Sequence, residues 1–459
     1  MLNLFEYKNK VHIPDSLTGI EAFLDDIWSR REKSGHFYSM TEEEERTETQ
    51  RFIQFFHQTQ EMKSNKYVGV ICFNGEKINL LPKIFYDKDS PDTHDRNQIM
   101  NIQNHILWWL SYCRKIKFPR YQTTRGARKS DFFEVLIYIF AKYTRELLNS
   151  FIYQNYEEEN RELPYIKGRL DIKRYITDNL SKANWHRLNC RYDAFIMDNT
   201  FNRIVKYVAN LLFHTTTNQE NKQYLREILF ILDEVTDIKA TAKQCTQISF
   251  NPMFGEFETV RDYCYLFLSN SISFNYKNDL KLFAFLLPME YVFEDFIYGF
   301  IEKEIPEVTV KGQISSTYLD HEHNFQLRPD LLLRHKGKEI IADTKYKVIY
   351  SDEKDPKKGI SQSDLYQMLA YAVRFKVNDI ILLYPNTVNN YQAASTTITI
   401  QDTLADNKNI TVRAFQLPIL DNSLAVTESN TLQDQFEPLR VKLISEIKRI
   451  TNDIYLYNI

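Results

Sequence analysis

Apolar and polar positions change rhythm twice along this chain of 459 residues. Up to about residue 100 the apolar residues come in short, strand-like runs. Tyr67-Val68-Gly69-Val70-Ile71-Cys72-Phe73 predicts a strand, Asn74-Gly75 a two-residue hairpin turn, and Glu76 to Phe85 the returning strand. Thr41 to Glu45 opens a polar, solvated helix, and Asp87 to Asp95 forms a loop around Pro91. From about 96 to 280 the spacing becomes helical. Phe132 to Leu148 (with Asp131 as N-cap), Phe201 to Phe213 and Gln223 to Leu232 each carry apolar residues on one face, with a less regular stretch, Leu163 to Asn199, between the first two. Beyond about 281 the order is helix, strands, helix, strand. A helix is expected over Phe283 to Glu302, its regular part beginning near Pro288. Strands follow at Val308 to Leu319, Phe325 to Arg334 and Glu339 to Val348. A helix over Ser361 to Phe375, a buried strand over Asp379 to Tyr384, two more strands (Thr396 to Ile400, Asn409 to Leu417) and a terminal helix from Leu432 complete the chain. The expected fold is mixed α+β in three domains: a β-leaning 1–100, a mainly helical 101–280 and an α/β 281–459.

Composition narrows the classes. Hydrophobic residues at 43% and charged residues at 26% exclude wholesale disorder. Acidic and basic residues nearly cancel, for a net charge of −3, which excludes a uniformly basic nucleic-acid coat but not a local one. Such a patch exists. Residues 101–130 hold Arg114, Lys115, Lys117, Arg120, Arg125, Arg128 and Lys129 and no acid. It could track DNA phosphates, meet an acidic face of a partner, or remain a solvated loop. Lys167 and Arg169 join this set of candidate DNA- or partner-binding residues, and Trp108 and Trp109 beside it stack on a base or fill the core. The five cysteines make no CxxC pair, and His321-x-His323 lacks further well-spaced zinc ligands. With no signal-like N-terminus and no apolar run near the ~20 residues that span a bilayer, a cytoplasmic protein without a membrane partner is expected. No G-x-x-x-x-G-K-[ST] occurs, so no P-loop nucleotide site is expected.

The chemistry concentrates in Arg328 to Lys345. With Lys336-Gly337 as a two-residue turn, His335 pairs with Lys338, and counting back places Asp330 opposite Asp343. Side chains so placed lie roughly 4.5–5.5 Å apart at Cβ. Two carboxylates that close repel unless a cation joins them, and Mg²⁺ takes one or two carboxylates with waters and phosphate oxygens. Lys345, two residues after Asp343, projects from the same face. Its ammonium could orient the attacking water or steady charge on a phosphate, the pattern of metal-assisted hydrolysis. The plainer reading is a charged surface hairpin with two chance acids. Against it stand the apolar Ile340-Ile341-Ala342, which leave a lone Asp and Lys costly, and the following helix, where Gln367 and Tyr371 share a face.

These residues resemble a known family. Pro329-Asp330, Asp343-Thr344-Lys345 and Gln367 to Tyr371, in helix–strands–helix order, resemble the PD-(D/E)XK nuclease fold in its RecB-like form. More specifically the chain resembles the McrC family, nuclease subunits of McrBC-type modification-dependent restriction systems. Tyr165 to Asp171, Cys190-Arg191-Tyr192-Asp193, Asp198 to Arg203 and Leu286-Leu287-Pro288-Met289 through Glu294 extend the resemblance across roughly 65–385. It implies that Asp330, Asp343 and a helix carboxylate, Glu294, hold Mg²⁺ (Mn²⁺ as the alternative), with Glu290 the competing helix acid. It implies Lys345 as the catalytic lysine, with Lys347 its substitute if the register slips by two, and Gln367 and Tyr371 in support. It also implies an McrB-like AAA+ NTPase ring as partner, stimulated by this chain, double-stranded DNA as substrate, and a pair of nuclease subunits when active. Segment 67–85 is the candidate for insertion into the ring, or else a small structural β-domain. Two rivals remain: a non-catalytic scaffold that activates the ring and clamps DNA, and a stand-alone RecB-like nuclease.

Overall fold

A computed structural model of the protein describes residues 2–30, 52–73, 76–87, 96–114, 132–273, 283–312, 317–349, 355–390, 394–401, 409–424 and 432–456. The expected helix at Thr41, the Asn74-Gly75 turn and most of the loop 87–95 lie outside these residues. The chain forms two compact units, one of residues 1–135 with 270–459 and one of residues 136–269. The boundaries expected at 100 and 280 are therefore not those of the structure, and the cause is one strand. Phe283–Pro288, expected to open a helix, is extended and pairs antiparallel with Tyr67–Phe73 along its whole length. The helix itself, Met289–Glu304, starts at the residue after Pro288. A short apolar run suits either state, and here the pairing supplied by residues 67–73 decides it.

Within the first unit, a five-stranded sheet runs in the order Leu2–Phe5, Glu76–Leu81, Tyr67–Phe73, Phe283–Pro288, Ser271–Ser273. Tyr67–Phe73 has a neighbour on each side, and Val68, Val70 and Ile71 are buried. That fits the reading of this segment as a structural β-layer. Met289–Glu304 buries Val292, Phe293, Phe296, Ile297, Phe300 and Ile301 at helical spacing. Phe296 packs edge-on against Trp108, which stacks on Phe436 of the terminal helix Leu432–Leu456. The Trp109 indole donates to the Ile419 carbonyl at 3.1 Å. Both tryptophans thus fill the core. At Gly299 a Cβ would lie 1.9 Å from the Tyr112 carbonyl oxygen, so only glycine allows this helix to approach that backbone.

The second sheet of this unit carries the hairpin. Its six strands run in the order Thr309–Gly312, Leu331–His335, Lys338–Thr344, Asp379–Pro385, Asn409–Leu417, Ser395–Gln401. Lys338–Thr344, Asp379–Pro385 and Asn409–Leu417 are parallel to one another. The helix Gln362–Phe375 connects the first two, capped by the Ser361 hydroxyl, which accepts from Asp364 N. Ile341, Met368, Tyr371, Leu382 and Val412 share the core between that helix and the sheet.

The second unit holds the helices Thr200–Thr215 and Gln219–Ile231, each capped by an asparagine (Asn199 and Asn218) whose side chain accepts from the first turn. The less regular stretch Leu163 to Asn199 holds two strands, Arg169–Leu170 and Leu188–Ile196, with short helical turns over 172–182 between them, and a further strand lies just before it. Asn155–Leu163 pairs antiparallel with Leu188–Ile196 over nine residue pairs, and Arg169–Leu170 adds a third, short strand. Its sequence hid this because alternation needs one buried face. Here Glu157-Glu158-Glu159-Asn160-Arg161-Glu162 is polar throughout. No helix of the described residues is long and apolar enough to cross a membrane.

Candidate functional site

Lys336 and Gly337 both take positive φ, 47° and 82°, the backbone of a type I′ turn. The ladder then runs His335 with Lys338 to Leu331 with Ala342, which is the counted register. Asp330 lies one step beyond the last pair, opposite Asp343. It is pinned there by the residue after Asp343. The Thr344 backbone N–H and hydroxyl both donate to Asp330 Oδ2, at 2.8 and 2.7 Å.

Asp343 has no exposed surface. Its Oδ2 forms an ion pair with Lys345 Nζ at 2.5 Å. Burial first, and the charge of Asp330 second, push its pKa up to about 7 against the attraction of Lys345. Burial works against the Lys345 ammonium as well. The charges of Asp343, Asp330 and Asp364 outweigh it and hold its pKa above the ordinary lysine value. Lys345 Nζ also donates to Gln367 Oε1 at 2.9 Å. Gln367 Nε2 donates to the Tyr371 hydroxyl at 2.8 Å, and that hydroxyl donates to the Arg328 carbonyl at 3.0 Å. The chain of bonds ties the lysine through the helix to the strand end that carries Asp330. Burial and the nearby charges of Asp343 and Asp330 keep the Tyr371 phenol a proton donor.

The structure thus brings together Asp330, Asp343, Lys345, Gln367 and Tyr371. Glu294 is half-buried on Met289–Glu304. Among the described residues no group of three or more His, Cys, Asp or Glu could hold a metal, so Glu294 does not complete a three-acid cluster with Asp330 and Asp343. Glu290 is exposed in the first turn of the same helix. Its charge is felt elsewhere, at Glu6, whose pKa burial pushes up to about 7 with a smaller push from Glu290. Lys347 does not mimic Lys345. Its ammonium is bound to both oxygens of Asp364, at 2.8 and 2.9 Å.

Asp343 and Asp330 offer oxygen donors of the kind a hard divalent cation takes, though Asp343 Oδ2 is here paired with the Lys345 ammonium. Remaining coordination positions would fall to water and phosphate oxygens. Sequence reasoning passed over Thr344, which orients Asp330, and Asp364, which the spacing Ser361-x-x-Asp364 marks as a capping-box position. It also passed over Glu6. This buried side chain accepts from Lys83 N at 3.1 Å and lies beside Tyr346, the residue after Lys345.

The remaining candidates scatter. Of the basic patch only Arg114 is described. Its guanidinium pairs with Glu302 at 3.1 Å and covers the Tyr298 ring. Lys115, Lys117, Arg120, Arg125, Arg128 and Lys129 lie outside the described residues. Lys167 and Arg169 are exposed in the second unit, Lys167 with its ammonium 4.0 Å from the centre of the Tyr192 ring. Arg203 pairs with Asp198 at 2.7 Å, a structural role.

The fold and this hairpin define a mixed α+β protein with a nuclease-like α/β module. The model of the McrBC 5-methylcytosine restriction system component family matches residues 62–385, and the chain belongs to that family. Among solved structures it is similar to a chain of the refined half-complex from the tetradecameric assembly of Thermococcus gammatolerans McrB AAA+ hexamers with bound McrC. The TM-score is 0.64 at 17% identity, covering 96% of this chain and 99% of that one. A chain of the T. gammatolerans McrBC complex solved by cryo-EM matches at TM-score 0.48 and 19% identity, over 66% of this chain and 87% of that one. No curated protein matches the sequence.

Proposed function

We propose that this restriction-system component is the nuclease subunit, a metal-dependent DNA endonuclease of PD-(D/E)XK type. It works in the cytoplasm with an McrB-like AAA+ ring whose NTPase it stimulates, and as a pair of subunits when it cuts both strands. The observation that supports this best is the meeting of Asp330, Asp343 and Lys345 on one hairpin, with Asp343 buried beside a like charge. Such a conflict is costly, and a cation relieves it. Asp330 and Asp343 would hold Mg²⁺ or Mn²⁺, which supplies Lewis-acid stabilisation of the phosphate charge. Lys345, held by Asp343 and Gln367, would donate to the attacking water or to a phosphate oxygen. Tyr371 and Thr344 keep the two strand ends in register while it does so.

Docking on the ring needs a surface, and the second unit offers one. Tyr156, Tyr165, Ile166, Ile172, Trp185 and Phe195 are all more than half exposed around the sheet of Asn155–Leu163 and Leu188–Ile196. Apolar side chains gathered on one exposed element mark an interaction site. The neighbouring solved structure, described as McrB AAA+ hexamers with bound McrC, supports a ring as the occupant.

The test is plasmid cleavage by this chain with its neighbouring AAA+ subunit, NTP and Mg²⁺, on modified and unmodified DNA. Cutting that needs the partner and is lost in Asp343→Ala and Lys345→Ala is the expected result. The scaffold reading, favoured by the lack of a third acid among the described residues, predicts NTPase stimulation without any cutting.

A further inference from the structure

Two lysines follow the strand Lys338–Thr344, Lys345 and Lys347, joined by a tight turn in which Lys347 N donates to the Lys345 carbonyl at 2.8 Å, and each is latched to the helix Gln362–Phe375. Lys345 binds Gln367 at 2.9 Å, while Lys347 binds Asp364 at 2.8 and 2.9 Å and the Ser361 hydroxyl at 3.2 Å. Asp364 is buried, and the Tyr384 hydroxyl also lies 3.5 Å from its Oδ2. Its charge reaches Lys345 as well as Lys347, so both ammonium groups lie in one electrostatic neighbourhood. Asp343 is fully buried beside the like charge of Asp330, and one ammonium, that of Lys345, already lies 2.5 Å from its Oδ2. A second ammonium released nearby would be drawn to it and to Asp330.

We propose that Asp364 is a positioning residue that locks Lys347 away from the Asp330–Asp343 pair, so that one lysine, Lys345, serves the site and the carboxylates stay available to a cation. This rests on the nuclease reading and adds to it the device that decides between two adjacent lysines. The helix cap is separable, because Ser361 accepts from the Asp364 backbone N–H, which Asn leaves in place while removing the charge that holds Lys347. The structure supplies the matching second change, Lys347→Met, which removes the competing ammonium and keeps the stem.

The experiment compares the full chain, wild type, Asp364→Asn, Lys347→Met and the double variant. Mn²⁺ affinity is read by electron paramagnetic resonance, and cleavage by the chain assembled with its AAA+ partner. Asp364→Asn is expected to weaken Mn²⁺ binding about tenfold and to lower kcat with KM for DNA unchanged. The double variant is expected to regain both to within about twofold of wild type. A role confined to holding the helix predicts the reverse, a double variant no better than Asp364→Asn, and that result overturns the lock. So does an Asp364→Asn protein indistinguishable from wild type. If wild type neither binds Mn²⁺ nor cuts, the nuclease reading fails on its own. A crystal structure of Asp364→Asn then decides the lock: Lys347 Nζ moved to Asp343 or Asp330 supports it, and Nζ still on Ser361 overturns it.

Discussion

Replacing Asp343 by Asn should stabilise the protein while removing cleavage, and the gain should depend on pH. In the folded chain the Asp343 carboxyl titrates near 7, against an ordinary 3.8. Below about pH 4 the group is protonated whether folded or unfolded and contributes nothing. Between about 4 and 7 the folded chain keeps a proton that the unfolded chain has released, so stability falls as pH rises. Above 7 the whole cost is in place. A gap of about three units, at about 1.4 kcal/mol each, makes roughly 4 kcal/mol. Asn resembles the protonated carboxyl and has no such titration. Urea unfolding of wild type and Asp343→Asn in EDTA, followed by tryptophan fluorescence and circular dichroism at pH 4.5, 6 and 8, should therefore diverge. The variant should be only about 1 kcal/mol more stable at pH 4.5 and roughly 4 kcal/mol more stable at pH 8. Glu6 titrates in the same window in both proteins, so the difference isolates Asp343. Adding Mg²⁺ should stabilise wild type alone and close part of the gap. A difference that stays constant across the three pH values would refute the reasoning, because the buried charge would then carry no cost.

Three further outcomes are expected. Lys345→Ala should keep the wild-type Tm within a few degrees and lower kcat for DNA cleavage at least about 100-fold, a size typical of a lost proton donor; a smaller loss in single-turnover cleavage would move the role to another group. Trp185→Ser with Tyr156→Ser should weaken ring binding and NTPase stimulation without changing Tm, since both side chains are mostly exposed; unchanged stimulation would place docking elsewhere. Gly299→Ala should destabilise by several kcal/mol, read by thermal melting, because its methyl would collide with the Tyr112 carbonyl; a wild-type Tm would mean that the helix can shift at little cost.

What the sequence revealed follows from how local each feature is. The hairpin register was legible because Lys336-Gly337 fixes a two-residue turn and a strand period of two leaves no freedom in the count, although the expected strands Phe325 to Arg334 and Glu339 to Val348 are shorter in the structure, at Leu331–His335 and Lys338–Thr344. Gln367 and Tyr371 were legible for the same reason on a helix, and their bond at 2.8 Å joins adjacent turns. Phe283–Pro288 was not legible, since its strand state comes from a partner more than 200 residues away in sequence. Nor was Asn155–Leu163, a strand with no buried face to print an alternation on the sequence. Glu294 shows a different gap. A resemblance carries a residue type to a position, but where that side chain meets others depends on packing at the whole helix.

The strand Phe283–Pro288 also bears on how such proteins can be inherited. It lies inside the N-terminal sheet, between Tyr67–Phe73 and Ser271–Ser273, and runs directly into the helix Met289–Glu304. A gene fragment beginning at that strand would encode a nuclease-like module with an apolar edge that lacks its neighbour, a template for clumping with its own copies. The N-terminal sheet without it would show the complementary open edge. Recombination between relatives is therefore productive when both halves of the sheet travel together, whereas the second unit, held between residues 136 and 269, can diverge or be exchanged without reopening either edge.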